Sequence, residues 1–160
     1  MCIRDRISDR LEKLGWKVTR LPQAVTVPEI ISSRYPSMAG GPVVKEICSL
    51  ADCAHPSKQF WLLTARDFLG HPGSAFAWNE WEMLSLSAAV PEDQPVITKF
   101  WDRHLPLFLG VDPYRYIAVA TDSGHLVAGS EPEFEEATTV ARSIEGLLER
   151  IDAGLDLATL

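Results

Sequence analysis

Cys48, Cys53 and His55 stand in a C-x4-C-x-H arrangement, with His71 further along. Thiolate and neutral imidazole are the ligands zinc takes in a tetrahedral cage, so these four are metal-ligand candidates. Zinc knuckles more often space their cysteines by two residues, and the chain's three cysteines leave no second pair. Cys48 also falls on the apolar side of a helical pattern, where cysteine behaves as a small hydrophobe. The expectation is no bound metal and no cofactor. Asp102 and His104 lie two positions apart and would share a face if extended, so the carboxylate could orient the imidazole as a base. No serine or cysteine sits in a G-x-S-x-G elbow to be activated. Glu80 with Glu82, or Glu133 with Glu136, could serve as the acid and the nucleophile or base of a glycosidase. That role needs one carboxyl in an apolar pocket. Nothing in the local sequence supplies one, and among 22 acidic residues pairs arise by chance. No catalytic residue is assigned, and a small hydrolase is the least favoured reading.

The charge is uneven. Residues 1–80 hold ten Lys and Arg against eight Asp and Glu; residues 81–160 hold five against fourteen, so the net charge of −7 comes from the second half. Such a half repels phosphate backbones and anionic membrane surfaces, which excludes nucleic acid and membrane as partners. It attracts a basic protein and speeds the encounter by long-range steering. The plainer alternative is that acidic surfaces keep proteins dissolved. Glu131, Glu133, Glu135 and Glu136 fall within six residues, with Phe134 among them to fix the segment on the core. Preorganised charge docks with less loss of entropy, so these four with Asp112 and Asp122 are the partner-binding candidates.

A length of 160 residues predicts one domain, and an apolar share of 46% is ordinary for a globular chain. No apolar run reaches the roughly 20 residues of a membrane span, and the charged N-terminus is no secretory signal. An odd cysteine number argues against a disulfide scaffold and for a reducing cytoplasm. Residues 1–6, MCIRDR, resemble translated sequencing-adapter read-through and carry no weight, so residues 1–20 are an uncertain N-terminal segment.

Apolar spacing predicts helices over 5–14, over PEIISSRY ahead of Pro36, and from Pro42 with Val43, Val44, Ile47 and Leu50 on one face. SMAGG and DCAHPSK read as loops, QFWLLTA as a buried strand, and Asp67 to Gly73 as a turn region. Asn79 fits a helix cap, with Glu80 and Glu82 in the first turn and Trp81, Leu84 and Ala88 facing inward. LPLFLG, RYIAVAT and HLVAG read as strands, the last two joined at Asp122-Ser123-Gly124. SEPEFEE reads as an exposed crossing segment. Ser143 caps a closing helix with Ile144, Leu147, Leu148 and Ile151 as its stripe, Gly154 ends it, and 153–160 fray. The expected fold is α+β: a mostly antiparallel central sheet flanked by helices, packed on one side, with a closing C-terminal helix. The five tryptophans, Trp61, Trp78 and Trp81 among them, read as packing residues, with Trp78 or Trp81 as the alternative interface anchor.

RYP at Tyr35, WLLTARDF at Trp61 to Phe68, FAWNEWEMLSL at Phe76 to Leu86, and Y-x-A-V, G-x-L-V, EPEFEE and VARSIEGLLERI in that order resemble the SUKH superfamily. That superfamily groups fungal cell-wall-assembly regulators with bacterial proteins. The resemblance spans about Leu21 to Ile151, with Gly40–Gly41 a departure from the pattern. It implies a SUKH-like domain over 21–152, an α+β fold without shared catalytic residues, and packing or hydrogen-bonding roles for Tyr35, Trp61, Trp78, Asn79, Glu80 and Glu82. It also implies a non-enzymatic immunity protein that binds and neutralises a cognate toxin domain, a basic nuclease for example. The alternative it implies is a regulatory or scaffolding module.

Overall fold

The structure is a computed structural model that describes residues 7–70, 78–111, 114–130 and 137–155. Its frame is one seven-stranded sheet in which every strand pairs antiparallel with its sequence neighbour, in the order β1 to β7. The strands are β1 (Lys17–Arg20), β2 (Leu50–Ala54), β3 (Phe60–Leu62), β4 (His104–Val111), β5 (Tyr114–Ala120), β6 (Leu126–Ser130) and β7 (Thr138–Ala141). Among the described residues the helices are α1 (Ile7–Lys13), α2 (Glu29–Arg34), α3 (Pro36–Ala39), α4 (Pro42–Ile47), α5 (Ala65–Phe68), α6 (Glu80–Ala88), α7 (Gln94–Asp102) and α8 (Ile144–Asp152).

Helices cover both faces of the sheet, not one. On the first face Ile7 and Leu11 of α1 and Leu147, Leu148 and Ile151 of α8 pack on Cys53, Phe60, Leu62, Phe108, Ile117 and Leu126. On the second, Ile31, Ile47, Phe68, Trp81, Ile97 and Trp101 pack on Leu105, Leu109, Tyr116 and Ala118. Strands buried on both sides lose the apolar-polar alternation and become continuous apolar runs, which is why LPLFLG is apolar throughout. In β4 a bulge between Pro106 and Phe108 lets Leu107 and Phe108 both join the first core, with Leu105 and Leu109 in the second.

Several elements depart from the expectations. The helix from Pro42 stops at Ile47, and Leu50 opens β2, which takes Asp52 to Ala54 from the segment read as a loop. Leu50 and Cys53 are fully buried, so pairing with β1 and β3 overrides local signals. SMA forms the turn of helix α3. The run read as one strand, QFWLLTA, is strand only over Phe60–Leu62; Thr64 and Asp67 form a reciprocal capping box that starts α5 at Ala65, at the end of that run. Helix α6 turns Trp81, Glu82 and Ser85 inward, while Leu84 and Ala88 are exposed, because Glu82 has a buried partner described below. Asn79 stands at the cap position but its side chain caps nothing. Strands β1 and β7 are short and mostly polar and carry too little apolar alternation to be read from sequence, whereas α7, with Ile97 and Trp101 buried four apart on one face, is a helix the sequence reading missed. The expected joint at Asp122-Ser123-Gly124 is present, with Gly124 at φ 76° where a side chain would be strained. Ser143 accepts a hydrogen bond from the Gly146 amide, and Gly154 (φ 108°) follows the last turn, as expected. Residues 156–160 lie outside the described residues.

The N-terminal segment belongs to this domain from Ile7 onward. Leu11 is fully buried and Trp16 nearly so. The first turn of α1 is capped by a residue far away in sequence: Glu46 of α4 accepts hydrogen bonds from the Ile7 amide (3.0 Å), the Ser8 amide (2.7 Å) and the Ser8 hydroxyl (2.7 Å). A carboxylate on amides at a helix start satisfies orphan donors and meets the positive end of the dipole. Glu46→Ala leaves those buried donors bare and is expected to lower unfolding free energy by about 2 kcal/mol, read as a shift in urea midpoint. A midpoint within error of wild type would mean that the cap adds nothing.

Candidate functional site

The charged groups that sequence reasoning set apart as chemistry meet instead around one residue it did not single out. Arg34, at the end of α2, donates from Nη1 and Nη2 to the two carboxylate oxygens of Glu82 on α6, at 2.8 and 2.5 Å. Its Nε donates to Asp102 at the end of α7, at 2.8 Å. A planar guanidinium matches a carboxylate in this two-pronged way, and its remaining edge is free for a second acid. The side chains of Arg34 and Glu82 are 17% and 8% exposed, so the pair is shielded, whereas Asp102 at 52% sits at the rim. The guanidinium lies 5.7 Å from the Tyr35 ring centre and 5.9 Å from that of Trp78, within cation–π range. The hydrogen bond to Glu82 strengthens the hold of Arg34 on its proton above the ordinary value. Tyr35 next door donates its hydroxyl to the Trp101 carbonyl at 2.7 Å, and burial pushes its phenol upward. Three helices are thus tied over the second face of the sheet.

This arrangement separates the pairs nominated as catalytic. Glu82 is engaged by Arg34, and Glu80 occupies the first turn of α6 away from it. Asp102 turns to Arg34, while His104 donates from Nδ1 to the Phe100 carbonyl at 2.7 Å, since a carbonyl can only accept. No carboxylate–imidazole dyad forms. His104 stacks on the Phe100 ring, centroids 4.1 Å apart and planes within 16°.

The cysteine–histidine trio does not converge. Cys53 lies in the core of the first face and Cys48 in that of the second. His55 stands edge-on to Trp16, and its Nδ1 accepts from the Ser57 amide at 3.1 Å. Among the described residues no group of three His, Cys, Asp or Glu could hold a metal ion. His71 lies outside them. Burial pushes the Cys53 thiol up to about 12, with Asp52 adding to it, and raises Cys48 also.

The tryptophans mostly pack. Trp81 and Trp101 are 3% and 2% exposed and meet the Tyr116 ring at 5.3 and 5.0 Å. Trp78 stacks on Phe68 at 5.2 Å, and Trp61 sits in β3 opposite Leu109. Of the partner-binding candidates, Asp122 is exposed at the β5–β6 turn. Asp112, Glu131, Glu133, Glu135 and Glu136 lie outside the described residues, as does Glu136's proposed catalytic pairing with Glu133.

A cleft of about 420 Å³ opens beside α7, lined by Val96, Lys99, Phe100, Arg103, His104, Val127 and Ala137. Sequence reasoning missed it, although Val96, Lys99, Phe100 and Arg103 stand at the i, i+3, i+4, i+7 spacing of one helix face. No helix of the described residues is long and apolar enough to cross a membrane. Comparisons with protein-family models, curated proteins and solved structures give no match.

Two outcomes follow from the buried groups. Arg34→Met strands the Glu82 carboxylate and is expected to lower stability by about 3–5 kcal/mol in urea unfolding, while Arg34→Met combined with Glu82→Met costs less than the single change. A double variant as unstable as the sum of its singles would deny the pairing. The Cys53 thiol keeps its proton when folded but loses it above its ordinary 9.0 when unfolded, so its contribution is intact below pH 9 and declines as pH rises toward 12. The decline approaches about 1.4 kcal/mol per pH unit. Unfolding free energy measured from pH 9 to 10 should fall more steeply for wild type than for Cys53→Ala; equal slopes would contradict it.

Proposed function

We propose that this chain is a non-catalytic protein-binding domain, an immunity protein that occupies and neutralises a basic toxin domain such as a nuclease. One observation carries the reading. Glu82, Asp102 and His104, which could have served bond-breaking, are engaged within the fold, whereas several described acids of residues 81–160 stand exposed. Glu82 and Asp102 hold Arg34, and His104 is pinned to Phe100. Asp122, Glu92 and Asp93, by contrast, are exposed. Nuclease clefts hold phosphates through clustered Lys and Arg. An acidic surface competes for such a cleft, and opposite charge speeds capture well above the rate of neutral docking. The SUKH resemblance supports the same role and supplies the kin-toxin context. Charge alone supplies the mechanism.

Co-expression with the C-terminal domain encoded by the neighbouring gene tests the role directly. Rescue of growth and a co-purified complex are expected; continued toxicity with no complex would overturn the reading. Within such a complex, replacing Glu131, Glu133, Glu135 and Glu136 by Gln is expected to slow association about tenfold or more at low salt and to flatten its salt dependence. An unchanged association rate would remove the charge mechanism while leaving the fold intact.

A further inference from the structure

The cleft beside α7 differs in charge from the net acidic half of the chain that supplies its lining. Acidic residues outnumber basic ones 22 to 15 in the chain, yet among the described residues the lining of this cleft includes Lys99, Arg103 and His104 and no carboxylate. Among the described residues, Arg10 binds Asp152, Arg20 binds Asp9 and Glu12, Arg34 binds Glu82 and Asp102, and Arg150 donates to the Val140 carbonyl. Lys99 and Arg103 make no ion pair or side-chain hydrogen bond among the described residues. They stand four apart, so both project from one side of α7. Around them the lining is apolar or flat: Val96, Val127, Ala137, and the stacked rings of Phe100 and His104. The bond from His104 Nδ1 to the Phe100 carbonyl fixes that ring pair as a platform. Val96, 54% exposed, offers an accessible apolar surface at the cleft. The volume of about 420 Å³ falls in the range of small-molecule sites, roughly 300–1,000 Å³.

We propose that this cleft binds a small organic anion with a planar apolar body, an aromatic carboxylate. The carboxylate meets Lys99 and the fork of Arg103, and the ring lies against Val96, Val127 and the Phe100–His104 pair. The inference stands apart from toxin capture, since it uses a basic surface within the acidic half and a different class of ligand.

The full chain can be titrated with 2-naphthoate, and with the neutral isostere 2-naphthamide, by calorimetry and by amide chemical shifts. A dissociation constant on the order of a millimolar or tighter is expected for a ligand this small. Shifts should concentrate at residues 96–104 and 127, and naphthamide should bind about tenfold more weakly. Lys99→Gln with Arg103→Gln, both exposed positions, should weaken naphthoate about tenfold with the unfolding midpoint unchanged. Equal binding of naphthoate and naphthamide, shifts centred elsewhere, or full affinity in the double variant would each overturn the assignment.

Discussion

A sheet buried on both faces must draw two separate apolar sets from the same strands, and that demand shapes everything else in this chain. Successive side chains point to opposite faces, so the central strands β4 and β5 have almost no room for polar residues. Their pairing runs from His104 opposite Ala120 to Val111 opposite Tyr114, and the buried residues along it serve both cores. Polar chemistry is pushed to the borders: onto helices, turns and the ends of strands. A charge that does enter must bring its counter-charge with it, because an isolated ion away from water is prohibitively costly.

Arg34 is where that happens. Its fork joins residues 48 and 68 positions away in sequence and holds α2, α6 and α7 as one lid over the second core. The same bonds explain why α6 turns a glutamate inward and two leucine-sized side chains outward. A buried ion pair adds less stability than its short distances suggest, since both charges lose their water. Its larger effect is on register: Glu82 and Asp102 can satisfy one guanidinium only if both helices sit at one rotation.

The fold class and the C-terminal half were legible because their signals are local. The runs LPLFLG, RYIAVAT and HLVAG, the glycine at 124 and the Ser143 cap each announce themselves within a few residues. Tyr35 donates to the Trp101 carbonyl and Glu82 accepts from Arg34. What escaped was everything fixed by distant partners. Strand β2 follows a helix after only two turn residues and exists because β1 and β3 flank it. Strand β1 shows one inward side chain among four, and β7 is short and half exposed. The Arg34 fork, the Glu46 cap and the α7 cleft join positions tens of residues apart, which no spacing rule reports. The Asp102–His104 pair failed for the converse reason: proximity in sequence placed one on a helix end and the other on a strand, each with its own partner.

The first face of the sheet is completed by the earliest and the latest helices described. Helices α1 and α8 share one core, and Arg10 reaches Asp152 across 142 positions at 3.1 Å. During synthesis, therefore, Leu11, Phe60 and Phe108 stay uncovered until Ile151 has cleared the ribosome, while the opposite core can already assemble from residues up to about 119. The nascent chain passes through a half-clad stage with one greasy side open to the cell, and its safe maturation depends on how quickly that last helix arrives.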